Sequence, residues 1–365
     1  MVETRAERPA ATDATVSNSR LSVEGEACDR RISLQMAGSA TAMAGGLSFL
    51  SACNDDVVGA EAVATPTPTG TATSTVLPPT YTATDNDRLN FGLQLHYLLA
   101  AYLHRALDGD ALSASMTGGA GAAGTVSGGR RVAFTDMTLL AMMREVSDAT
   151  DARIAYLRRT LAGAVTAQPA INIAGGEGSP FQAIAITKRG TPPPAVTSFF
   201  DPYVSENDFL LGAVALSSVV TQAIYDVTWQ LAAALRTGMA AFAAGIAASD
   251  AILRNSLFVR ADADVRVPAA GQSNLFGRAV AMALGRDQYD GPRAMESDAP
   301  GIGGFAGTDW VYSKIDIVNY NWIAIRRTPE QALGILYASA ASVSSGAFFP
   351  AGVNGTIRVS GANTY

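Results

Sequence analysis

The chain is poor in the residues on which most site chemistry rests. It has two cysteines, Cys28 and Cys53, and two histidines, His96 and His104. Charged residues make up 16% of it, and Lys188 and Lys314 are its only lysines. Each scarcity excludes something. Two histidines on one stretch of helical pattern leave no candidate for a Ser-His-Asp triad, and no Gly-x-Ser-x-Gly elbow occurs. A net charge of −6 with no basic stripe argues against nucleic acid as a partner. The glycine-rich runs at 118–129 and 301–307 do not sit between a strand and a helix, so they do not read as nucleotide loops. Asp262, Asp264, Asp287, Asp290 and Asp298 carry oxygens but lack the order of an EF-hand loop.

What is present is apolar, 48% of the chain, with much of that alanine and glycine. Such a composition suits closely packed helices around a sizeable core. Near the N-terminus, Arg30-Arg31 precede a mild apolar stretch from Met36 to Leu50 that ends Leu50-Ser51-Ala52-Cys53. Paired arginines before a Gly/Ala/Ser-rich run resemble a twin-arginine signal. The run is too short and too weakly apolar to span a bilayer. Its ending resembles a lipobox, which makes residues 1–52 a signal peptide and Cys53 the lipidated first residue. Cleavage then removes Cys28 and acylation consumes Cys53, leaving no disulfide. The expected location is the periplasm or cell envelope, with the membrane as a partner through the lipid anchor. Residues 53–84 contain Thr-Pro-Thr-Pro-Thr-Gly-Thr and Leu-Pro-Pro-Thr and read as an extended, solvated linker.

Four helical stretches follow within 85–260. From Asp87 to Leu107, Leu89, Leu93, His96, Ala100 and Leu103 fall three or four apart and mark one face, with Asp85 and Asp87 where an N-cap and a first-turn acid belong. The second helix spans 135–162, with Leu139, Met142, Val146, Thr150, Arg153, Leu157 and Leu161 as its stripe, Thr135 as N-cap and Gly163 as stop. Asp148 and Asp151 then face outward, Asp148 within reach of Arg144. A long connection, 164–205, carries the triple proline 192–194. The third helix is expected from Asn207 to Arg236 and the fourth from Gly238 to Val259. Short loops within pairs and one long crossover between them is the connectivity of a ferritin-like four-helix bundle, an all-α fold. Residues 261–365 read as an irregular extension packing on that bundle, with a short helix from Pro329 to Tyr337. Its aromatics Trp310, Tyr312, Tyr320 and Trp322 are candidates for contact with a protein partner or a second copy.

Three segments resemble one known family. Leu89-Asn90-Phe91-Gly92-Leu93-Gln94-Leu95, Phe200-Asp201-Pro202-Tyr203 with Asn207-Asp208-Phe209-Leu210-Leu211, and Arg327-Thr328-Pro329-Glu330-Gln331 through Phe348-Phe349-Pro350-Ala351-Gly352-Val353-Asn354-Gly355 are similar to the ferritin-like family that includes the plant desiccation-related proteins and many bacterial exported homologues. The resemblance covers about 85–258 and 327–357. It implies a di-metal centre built from inward carboxylates and Glu-x-x-His pairs. At the aligned ligand positions this chain has His96, Thr150, Arg153, Ser217 or Ser218, Ile246 and Ser249, with Asp250 one position off. The expectation is a degenerate metal site that holds no metal and no other cofactor, with His96 a core histidine donating to Thr150 or to a third-helix serine. The chain then reads as a non-catalytic structural or binding protein of the cell envelope. The alternatives are a metal-dependent redox enzyme (ferroxidase or catalase-like) with an atypical site, and a desiccation or stress protectant.

Overall fold

The computed structural model describes residues 82–186, 199–266, 275–291, 301–306, 310–318 and 322–362. The leader, Cys53, the Pro/Thr-rich linker up to Tyr81, the triple proline, Asp298 and Tyr320 lie outside the described residues, as do the side chains of Trp310 and Tyr312. In chain order the described elements are α1 (Asp85–Leu107), α2 (Ala114–Thr117), β1 (Val126–Ser127), α3 (Met137–Leu161), β2 (Ile171–Asn172), α4 (Pro180–Ala185), α5 (Glu206–Gln230), α6 (Ala233–Arg266), α7 (Leu275–Asp287), β3 (Gly303–Ala306), β4 (Trp310–Ser313) and α8 (Pro329–Tyr337). β1 pairs in parallel with β2, and β3 antiparallel with β4. α1 packs on α3 and α5, while α6 packs on both α5 and α3, which closes a four-helix ring. α7 lies against α4, α5 and α6, and α8 against α5.

Local chemistry sets the helix ends, and in places not where the sequence pattern put them. Thr84, rather than Asp85, caps α1 in a capping box with Asp87. Asp136, rather than Thr135, caps α3, accepting from the amides of Thr138 and Leu139, both at 3.0 Å. Thr135 instead gives its amide to Glu206, so it serves the junction with α5. α5 stops at Gln230, not Arg236, and α6 begins at Ala233. No glycine or proline marks that break. It is held by side chains: Arg236 donates back to the Leu231 carbonyl at 2.7 Å, and Asp85 accepts the Ala232 amide at 3.3 Å. α6 also runs past Val259 to Arg266.

Burial follows from composition. Among the described residues two helices, α5 and Ala233–Asp264 of α6, are long and apolar enough to cross a membrane; 94% of the α5 window and 39% of the α6 window is buried inside the bundle. A helix apolar on every side belongs in a core, and α5 is enclosed by α1, α6, α7 and α8. At the open end of the ring Arg260 of α6 pairs with Glu206 at 2.8 Å and Asp136 at 2.9 Å, tying the starts of α3 and α5 to α6. Burial works to raise the Glu206 carboxyl, but the Asp136 and Thr135 amides and Arg260 hold it below its ordinary value.

The C-terminal tail is built in rather than appended. Phe348 and Phe349 are fully buried, Phe348 edge-on to Phe181 with ring centres 5.0 Å apart. The Asn354 side-chain amide donates to Ala122 O at 2.8 Å and Ala167 O at 2.9 Å, and its backbone amide donates to Gln94 of α1 at 3.1 Å. One asparagine thus satisfies backbone groups of two loops that no strand could pair. The tail's Gly352 and Gly355 have φ of +80° and +105°, values that favour glycine.

α7 meets the long crossover at Gly285, where an added Cβ would lie 2.2 Å from the carbonyl oxygen of Ile184. In a free helix Gly→Ala stabilises by about 1 kcal/mol. Here Gly285→Ala is expected to destabilise by about 1–3 kcal/mol in urea unfolding, because backbone cannot yield as a side chain can. A gain in stability would show that α7 does not approach the crossover this closely.

Candidate functional site

The positions aligned with metal ligands fall in two separate polar clusters of the bundle interior. The first lies between α1, α3 and α6. α1 is buried on all sides from Leu89 to Leu103, so His96 is fully enclosed. Its Nδ1 donates to the Gly92 carbonyl one turn back at 2.7 Å. That fixes the neutral tautomer and leaves Nε2 as a buried lone pair with no hydrogen-bond partner among the described residues. The ring packs on Phe242 of α6, centres 5.2 Å apart, and Phe242 in turn on Tyr156 of α3. Burial pushes the imidazole down to about 4; the Gly92 carbonyl works the other way, and the Arg153 cation lowers it further.

Arg153 is the second member. Its Nη2 crosses from α3 to α6, donating to Gly245 O at 2.7 Å and Ser249 Oγ at 2.8 Å. Thr150, one turn away, is buried but returns its hydroxyl to Val146 O at 2.8 Å within its own helix. His96 therefore donates neither to Thr150 nor to a serine of α5. Of the aligned positions, the structure brings His96, Arg153 and Ser249 together and leaves Thr150 self-satisfied.

Ser217 belongs to the second cluster, between α5, α6 and α7. Ser217 donates to the buried Asp250 carboxylate, as does Ser218 at 3.5 Å. Arg254 donates to Ser218 Oγ at 3.3 Å, Lys314 O at 2.7 Å, Ile315 O at 2.8 Å and Gly301 O. Beyond lie Arg286, fully buried, and the Asp290–Arg327 pair at 2.9 Å with Arg327 wholly enclosed. Burial pushes both Arg286 and Arg327 down to about 10, opposed by Asp250 and Asp290 for the first and chiefly by Asp290 for the second. Burial likewise raises Asp250 and Asp290, against the pull of Arg254 and Arg327 respectively. This seam was missed in sequence, where an arginine at a helix end reads as solvated. The only signal was Arg327 at the head of the Arg-Thr-Pro-Glu segment.

Other readings from sequence change place. Asp151 faces His104 rather than solvent, both carboxylate oxygens 3.0 Å from Nε2. Arg144 pairs with Asp108 at 3.0 Å rather than with Asp148, which is exposed. Asp264 caps the start of α7 through the Leu275 amide at 3.0 Å, and Asp290 holds Arg327, so neither serves a calcium loop. Trp322 is 78% exposed.

The interior does not fit a di-metal centre. Hard divalent ions need several carboxylate oxygens and imidazole nitrogens converging on one point. Here one neutral imidazole faces an arginine, two hydroxyls and aromatic rings, and among the described residues no three His, Cys, Asp or Glu side chains gather to hold a metal ion. A guanidinium held beside the imidazole adds electrostatic repulsion to the shortage of ligands.

The two histidines give opposite pH dependences. His96 has a folded value near 4 against an ordinary 6.5, so below about 6.5 the unfolded chain binds the proton first and stability falls until about pH 4. Replacing His96 with Leu is expected to remove this limb, worth on the order of 3 kcal/mol. His104 is raised by its hydrogen bond to Asp151, burial opposing; its contribution is full below the unfolded value and is lost as pH rises through the folded one. Asp151→Asn should abolish that loss. Urea unfolding from pH 4 to 8 reads both, and limbs unchanged by either substitution would contradict these assignments.

The match to known proteins agrees with this architecture. The family model described as a ferritin-like domain matches residues 84–257, which run from the cap of α1 into α6. Comparison with curated proteins and with solved structures finds no match. Four helices closing a ring across one long crossover, over the residues that the family model covers, make residues 84–257 of this chain a ferritin-like domain.

Proposed function

We propose that this ferritin-like domain works without a di-metal centre, as a structural or binding component of the cell envelope, carried there by a twin-arginine leader and held by lipid on Cys53. What supports the first half is the Arg153 bridge to Gly245 and Ser249, a guanidinium held among the positions that the family resemblance aligns with metal ligands. The export half rests on the Arg30-Arg31 pair and the Leu-Ser-Ala-Cys ending. On this reading His96 is a packing residue, its charge suppressed by enclosure, and the domain serves as a rigid body presented from the membrane on an extended linker. Its partners are the bilayer and another protein or a second copy of the chain.

One feature favours a rival reading as a redox enzyme with an atypical metal site. The buried Nε2 of His96 is unshared, and an unshared imidazole nitrogen is a metal ligand in waiting. Elemental analysis of full-length protein purified without chelators separates the two. The expected iron and manganese content is far below one per chain; stoichiometric metal would overturn the proposal. For the anchor, Cys53→Ser is expected to move the protein from the membrane to the soluble fraction and abolish palmitate labelling. A wild-type protein that is soluble and unlabelled would contradict it.

A further inference from the structure

The corner where α5 ends and α6 begins is uncharged and open to solvent. No charged residue occurs from Val227 to Leu235, and Trp229, Gln230, Ala232, Ala233 and Ala234 are all exposed. Trp229 is 67% exposed, with the Arg326 guanidinium over its ring, 5.2 Å from the centre. A lone apolar side chain on a surface needs no explanation. The setting of this one is different.

The chain enters the domain at the same corner. Arg88 of α1 donates to Gln230 Oε1 at 3.3 Å, and Asp85 accepts the Ala232 amide at 3.3 Å. The 28 residues between Cys53 and Thr82 therefore join the domain beside Trp229, and they reach at most about 90 Å. With lipid on Cys53, this corner is the end of the domain nearest the tether. Tethering keeps it at high effective concentration over the bilayer, so a weak contact is enough to be populated. Its chemistry suits that surface. Tryptophan, with an apolar body and one N–H, collects where a membrane meets water, and arginine lays its stem along apolar surface while its head stays wet. The ionic neighbours are matched already, Arg88 lying 3.8 Å from Asp85 and Arg326 3.8 Å from Asp226. Seating therefore depends on the indole rather than on lipid charge.

We infer that the α5–α6 corner seats on the bilayer, with the Trp229 indole in the headgroup layer and Arg326 beside it at the phosphates. Lipid and indole then act as the two signals that stable membrane attachment takes. This contact rests on the anchor proposed above.

The test supplies the anchor chemically, so that it does not depend on lipidation in the cell. The full chain with Cys28→Ser is coupled through Cys53 to a maleimide phospholipid in phosphatidylcholine vesicles, and tryptophan emission is compared with and without brominated acyl chains. Bromine is expected to quench the tethered protein, and Trp229→Phe is expected to remove most of that quenching with unchanged circular dichroism, which separates Trp229 from Trp310 and Trp322. No quenching of the tethered protein, or equal quenching in Trp229→Phe, would overturn the contact. A blue shift that grows with protein concentration in the absence of vesicles, and is lost in Trp229→Phe, would make the corner a contact between copies and overturn the bilayer as its occupant. Failure of palmitate labelling would remove the anchor in the cell, and the quenching would still decide whether this corner seats.

Discussion

The interior of this bundle depends on one guanidinium. Arg153 reaches from α3 to α6, and its bonds to Gly245 O and Ser249 Oγ join the two helices beside the Tyr156–Phe242 ring contact. A charge in a helix bundle is tolerated only when its donors are met, and the backbone carbonyl of a glycine on a closely packed helix meets one. The consequences spread outward. The cation helps to keep His96 neutral, and the imidazole packs on Phe242 with the two rings tilted at 58°, so that α1 and α6 meet through this pair.

A second set of charges fastens the rest of the chain to the bundle. Arg254 projects from α6 onto the carbonyls of Gly301, Lys314 and Ile315, so the segment around the β3–β4 hairpin is held by backbone acceptance rather than by a core of its own. Arg327 pairs with Asp290 and gives its backbone amide to Gln222 O at 3.2 Å, seating the start of α8 against α5. Such pairs contribute little net stability, since desolvation offsets attraction, but removing one partner strands a buried charge. They therefore fix where the C-terminal half sits more than how firmly it sits.

The helices were legible because their apolar stretches are long, and in α3 also periodic. Leu89, Leu93, Ala100 and Leu103 of α1 and Leu139, Val146, Leu157 and Leu161 of α3 are all buried, as their spacing requires. Pro329 to Tyr337 coincide with α8, because Thr328, Pro329 and Gln331 form a capping box with proline in the first turn. The break between α5 and α6 was not legible, since it is held by Arg236 and Asp85 across distance rather than by a local breaker. Within the interior, the residue types at the aligned positions could be read but their pairings could not. Ser217 turns to Asp250 and Ser249 to Arg153 because side-chain reach between helices, not spacing along one, decides which polar atoms meet.

The proposed state of His96, neutral beside Arg153 and without a metal, is read directly by nitrogen NMR of its imidazole. With ¹⁵N-labelled histidine, the His96 signals should show the Nδ1–H tautomer from pH 8 down to about 5, and adding ferrous or manganous ions should neither shift nor broaden them. Protonation near the ordinary imidazole value, or selective loss of the His96 signals on adding either metal, would contradict it.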